Sequence, residues 1–173
     1  MEQSEFLIDG PAKAPLTVIL GHGAGAAMDS PFMNTIAAGL ARTGLRVARF
    51  EFPYMRARRE GGKRGVPDRE LILLQSWRAA IEALGGGERL VIGGKSMGGR
   101  IASMIADDMK VRGLICLGYP FHPPGKPDRL RVKHLEALRT PALILQGTRD
   151  PFGRREEVAT YRLSKQIQFH WLP

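Results

Sequence analysis

What most restricts the fold of this chain is a set of short apolar, β-branched runs, several of which stay apolar at nearly every position instead of alternating. They occupy residues 16–20, 47–52, 90–92, 114–117, 142–145 and 167–172. A strand with one wet face alternates, so unbroken apolarity predicts strands covered on both faces by helices, the environment of a parallel sheet. Helical patterns fill the gaps. Asp29 or Ser30 can cap a helix opening at Pro31, with Phe32, Ile36, Ala37, Leu40 and Ala41 on one stripe and Gly44 as its stop. A second helix is expected from about Asp68, with Leu71, Leu74, Ile81 and Leu84 inward, and a third directly after Ser96 with Ile101, Ala102, Ile105 and Ala106 inward. Strand alternating with helix predicts an α/β fold: a doubly wound, mostly parallel sheet with helices on both faces and no large cap domain.

The 173 residues suit one domain of roughly 100 to 200 residues, read here as residues 1–173. Two stretches break the pattern: a basic loop over residues 56–69, which includes Lys63 and Arg64, and a proline-rich insert over residues 120–126 before a short helix expected near 132–138. The opening Met1-Glu2-Gln3-Ser4-Glu5 is acidic and unlike a signal or transit peptide, and no apolar run nears the roughly 20 residues of a membrane span. The lone Cys116 has no disulfide partner in the chain, which fits a reducing, cytoplasmic setting. No Cys/His cluster has metal-ligand spacing, so neither a metal nor a cofactor is implied.

The richest segment is Gly94-Lys95-Ser96-Met97-Gly98, which fits G-x-S-x-G between a buried strand and a helix. A chain that turns from strand to helix within two residues crowds its own backbone, so the flanking residues must be small while the serine projects. The amide of Met97 then lies at a helix N-terminus, where unpaired N–H groups favour negative charge. Gly94-Lys95-Ser96 also resembles the end of a phosphate loop, but that pattern needs glycine where Arg89 stands, and the residues after Arg89 read as strand. Across the expected crevice, Gly21-His22-Gly23-Ala24-Gly25-Ala26 follows the first strand. A side-chain-poor loop there offers a second amide to a developing oxyanion, with Ala24 the first candidate and Gly23 the alternative. The same residues fit the dinucleotide pattern G-x-G-x-x-A, with Glu51 as the ribose ligand, although Pro31 starts the helix late for a pyrophosphate. His22, flanked by glycines, reads as a loop-orienting residue. Asp150 ends the strand at 142–145 and its turn, and is either an acid at the crevice or the cap of a helix near 154–161.

Taken together, these three loops make the sequence resemble the α/β-hydrolase superfamily, in particular its compact bacterial dienelactone-hydrolase-like members. It is similar also to the hydrolase-like domain in a subunit of the nonspecific lethal chromatin complex. The resemblance spans residues 17–172. It implies a serine hydrolase acting on carboxylic esters, with Ser96 the nucleophile, Asp150 the acid, and the amides of Met97 and Ala24 the oxyanion hole. The family's base histidine lies just after the strand that here ends at Leu172-Pro173. His170 falls within that strand, on the face of Gln168, while His122 and His134 sit in the insert and on the short expected helix. The reading is therefore either a chain cut before its base or a hydrolase fold serving as a non-catalytic interaction module.

The expected partner is a small ester-like molecule. The formal charge of +9, much of it in residues 56–69, suggests an anionic one. Nucleic acid is not favoured, because Tyr54 is the only aromatic near those arginines.

Overall fold

Strands form where the apolar runs predicted them, and their order in the sheet creates the crevice. In the computed structural model, which describes residues 6–62 and 65–173, the elements are β1 (Leu7–Asp9), β2 (Thr17–Gly21), α1 (Pro31–Arg42), β3 (Arg46–Phe50), α2 (Pro53–Arg59), α3 (Glu70–Ala83), β4 (Leu90–Lys95), α4 (Met97–Ile105), β5 (Gly113–Leu117), β6 (Ala142–Gly147), α5 (Arg155–Val158) and β7 (Ile167–Leu172). The acidic opening segment and Lys63 and Arg64 lie outside the described residues. The sheet order is β1-β3-β2-β4-β5-β6-β7, with β1 antiparallel to β3 and every other pairing parallel. The chain adds β3 on one side of β2, then crosses back to add β4 on the other. Loops leaving β2 and β4 therefore diverge at this switch point and open a crevice at the strands' carboxyl ends.

One sheet face carries the larger core, where Trp77 and Ile81 of α3 and Ile101, Ala102 and Ile105 of α4 pack over Ile19, Ile92, Cys116 and Ile144. The opposite face is covered by α1 through Met33 and Ala37 over Val18, Leu20 and Val47. Ser30 caps α1 as expected, its hydroxyl accepting from the Met33 amide.

Four expectations need correction. On α1 the fully buried residues are Met33 and Ala37, and Phe32, expected on the inward stripe, is 40% exposed. The inward stripe of α3 is Leu73, Trp77, Ala80 and Ile81, and Leu71 is 66% exposed. The run Leu71-Ile72-Leu73-Leu74 fits more than one helical phase, and the bulk of Trp77 decides between them. The first four residues of the expected basic loop, 56–59, are helical: they end α2, which is started by Pro53 at its first turn and anchored by the buried Met55. The helix expected near 132–138 is a single 3-10 turn, Lys133–Leu135. No helix among the described residues is long and apolar enough to cross a membrane.

Candidate active site

At the end of β4 the backbone does what the G-x-S-x-G spacing demands. Ser96 has φ 48° and ψ −111°, a conformation that side-chain-bearing residues rarely adopt and that is held only where the surroundings over-determine it. Those surroundings are tight. Gly21 of β2 pairs directly with Gly94 of β4, and a Cβ at either Gly94 or Gly98 would overlap the Gly21 carbonyl. A Cβ at Gly99 would lie 2.7 Å from the Gly94 carbonyl and 3.2 Å from Cys116 Sγ. Trp77 closes the other side, its indole N–H donating to the Gly98 carbonyl at 3.2 Å. The Ser96 amide donates to the Leu117 carbonyl at 3.0 Å, extending the β4–β5 ladder into the turn. Its hydroxyl makes no hydrogen bond with a described residue and lines a cleft of about 380 Å³.

Ala24 and Met97 line the same cleft, and neither backbone amide donates to a described residue. Both donors are therefore open to a ligand. The loop bearing Ala24 is held from three directions. His22 is fully buried, with Nδ1 2.7 Å from the Gly23 carbonyl and Nε2 accepting from the Phe52 amide at 3.1 Å. That pair of bonds requires the neutral Nδ1–H tautomer, and burial lowers the His22 pKa from its ordinary 6.5. The Tyr54 hydroxyl donates to the Ala24 carbonyl at 3.0 Å, and burial raises its pKa to about 12. Further along, Arg59 of α2 donates to both oxygens of Asp29 and both of Glu51, while Arg49 of β3 bonds Asp9, Asn34 and the Met28 carbonyl.

This last network corrects two expectations. Glu51 is buried, and its carboxylate is taken by Arg59 and the Met28 amide at 3.3 Å, so it is not placed as a ribose ligand and the dinucleotide reading loses its acid. The basic stretch does not face Ser96 as a unit either. Arg58 and Arg59 border a separate hollow of about 310 Å³, and of residues 56–69 only Pro67 and Asp68 reach the Ser96 cleft among the described residues.

Asp150 sits on the turn after β6. Its Oδ1 accepts from the Phe152 amide at 2.9 Å, and its Oδ2 lies over Gly118, where a Cβ would be 3.6 Å away. Gly118 directly follows Leu117, whose carbonyl holds the Ser96 amide. The residue at the N-cap of α5 is Arg154, so Asp150 does not cap that helix.

None of the four histidines lines the cleft. Besides His22, His122 is buried with Nδ1 2.9 Å from the Pro123 carbonyl, and His134 Nε2 is 2.8 Å from the Ser103 hydroxyl. His170 lies opposite Leu145 and is exposed on the sheet face away from α4, where Ile167, Phe169 and Trp171 point the other way into the larger core. Among the residues that border the cleft without an expected role are three ionisable ones, Glu70, Arg100 and Arg131. Arg100 follows Ser96 by one helical turn, a spacing visible in the sequence; nothing in the sequence pointed to Arg131.

A strained serine between a parallel strand and a helix, facing a glycine loop across a switch point, defines an α/β hydrolase. The chain belongs to the alpha/beta hydrolase domain family, whose model matches residues 14–173. Among solved structures, it superposes on an alpha-beta serine hydrolase homologue from Coxiella burnetii with TM-score 0.75 and 22% identity, covering 96% of this chain and 80% of that one. A serine hydrolase without lid from Xanthomonas campestris gives TM-score 0.72 and 20% identity over 97% and 77% of the two chains. A dienelactone hydrolase from Anabaena variabilis gives 0.76 and 20% over 97% and 79%.

Proposed function

We propose that this hydrolase is a serine esterase for a small-molecule carboxylic ester, and that residues 1–173 form one hydrolase-fold unit. Ser96 attacks the carbonyl carbon, and its proton passes to an imidazole held by Asp150. The oxyanion of the tetrahedral intermediate takes the amides of Met97 and Ala24. The alcohol leaves with that proton, and water then cleaves the acyl-enzyme. The observation that carries the reading is the strained Ser96, its hydroxyl unpartnered in a cleft bordered by two unused amides. Names of similar folds, serine hydrolase and dienelactone hydrolase among them, support the reaction class. None of the four histidines of this chain lines the cleft, so the imidazole of this step is assigned to none of them. A reducing, cytoplasmic setting belongs to the same reading and rests on Cys116.

That placement of the histidines also favours a second reading, an interaction module built on the hydrolase scaffold. A fluorophosphonate probe separates the two. Tested on the 173-residue chain, on a chain extended past Leu172 to its natural end, and on Ser96→Ala in both, it is expected to label the extended protein and neither Ser96→Ala variant. No labelling of either length would overturn the esterase and leave the module.

A further inference from the structure

The Ser96 cleft holds a guanidinium that has neither a hydrogen bond nor an ion pair with any described residue. Four ionisable side chains line it: Asp68, Glu70, Arg100 and Arg131. Three have partners. Arg100 Nη1 donates to Glu70 Oε2 at 3.0 Å, and Asp68 Oδ2 accepts from the Tyr54 amide at 2.9 Å. Arg131 differs from them. Its backbone is fixed at both ends, the amide donating to the Phe121 carbonyl at 2.7 Å and the carbonyl accepting from the Tyr119 hydroxyl at 2.9 Å, yet its guanidinium has no hydrogen-bond or ion-pair partner among the described residues. A half-buried guanidinium without an acceptor loses solvation, and the attraction of Glu70 across the cleft does not replace the missing hydrogen bonds, which a ligand can supply.

We propose that Arg131, with Arg100 beside it, is the subsite for a carboxylate carried by the substrate, so that the preferred ester is a monoester of a short dicarboxylic acid. The inference rests on the esterase reading of this cleft and adds the substrate class to it. Arg100 stands on α4 four residues after its N-cap Ser96, a rise of about 6 Å along the axis. Ser96, Arg100 and Arg131 border one cleft of about 380 Å³, so a carboxylate at the arginines and an ester carbonyl at Ser96 belong to one short ligand, of which a glutaryl or succinyl ester is the probe. The guanidinium fork matches a carboxylate edge with two parallel bonds, a match that lysine does not make. Burial, and after it the nearby Arg100, lowers the Arg131 pKa, as expected of two cations facing one hollow with an anion still to come. The basic loop does not provide this subsite, because Arg59 there is already neutralised by Asp29 and Glu51.

The test compares monomethyl glutarate with dimethyl glutarate, which have nearly the same shape and differ by one charge. Binding is measured by calorimetry or ligand-observed NMR on the Ser96→Ala protein, so that neither ligand is cleaved. The monoester is expected to bind at least about tenfold more tightly, the ratio expected of one charge-assisted contact. Adding Arg131→Met should remove that ratio, Arg131→Lys should keep part of it, and Arg129→Met, at an exposed neighbour, should leave it unchanged. Equal binding of both ligands, binding of neither, an unaltered ratio in Arg131→Met, or an equal loss in Arg129→Met would each overturn the subsite. The probe experiment on Ser96 reads separately: a charge preference without probe labelling keeps the subsite and removes the esterase, and labelling without the preference does the reverse.

Discussion

Two halves of the same sheet are built to different standards. Around β2 and β4 the backbones meet glycine against glycine, His22 and Glu51 are tied by hydrogen bonds, and a single added methyl group would strike a carbonyl. Around β6 and β7 the sheet is covered on one face only, with Leu143 38% exposed and Leu172 45% exposed on the other, and His170 open to solvent. The difference teaches where precision is demanded. A nucleophile and its oxyanion donors must be held within fractions of an ångström, whereas the strand that leads toward an acid or base need only arrive.

The sharpest way to break this contrast is Gly98→Ala, whose Cβ would overlap the Gly21 carbonyl, a backbone atom that cannot move aside. It should cost about 3 kcal/mol of stability, read by urea unfolding, and should also end probe labelling in the extended chain. Equal stability of variant and wild type would show that the two turns are not wedged together. Next in size, Arg59→Met strands the buried Glu51 carboxylate. The expected loss is about 2 kcal/mol, less than for a fully buried pair because Arg59 itself is 44% exposed. Adding Glu51→Gln should return part of it; if the double variant is no better than the single, the clamp is not electrostatic.

A smaller effect follows from pH. Burial lowers the pKa of His22, and also that of His134, below 6.5, so the unfolded chain takes up protons that the folded one refuses. Stability is then whole above pH 6.5 and declines as pH falls below it through the lowered folded values. Melting temperatures between pH 7.5 and 5 should decline less steeply in His22→Gln than in wild type; parallel curves would remove His22 from the account. Smallest of all, His170→Gln on the open half should change stability by less than about 0.5 kcal/mol and leave probe labelling as in wild type. A large loss of labelling would mean that the strand histidine reaches Ser96 after all.

How much of this was legible depends on whether local pattern or packing makes the choice. The six longer strands were readable from their apolar runs, unbroken in the doubly buried ones and alternating in β7, and α4 from its stripe, whereas α1 was readable in its start but buries Met33 where Phe32 was expected. β1 escaped because three residues at an antiparallel edge carry no periodicity, and α2 because its arginines read as a loop until Met55 is seen packed under it. In α3 the apolar run gave no preference of phase, and Trp77 against Gly98 supplied it.

The same division holds at the site. Local sequence alone places Ser96 between a strand and a helix, through an apolar run before it, a helical stripe after it and glycines two residues away on each side, and it shows that the loop after β2 is bare enough to approach an anion. Only the tertiary structure decides that Gly21 is what crowds Gly94, that Glu51 is consumed by Arg59, and that Arg131, distant along the chain, shares a cleft with Ser96. Steric demands within a turn are written in neighbouring residues. Charge balance in a cleft depends on which distant side chains meet there, and that is set only when the sheet assembles.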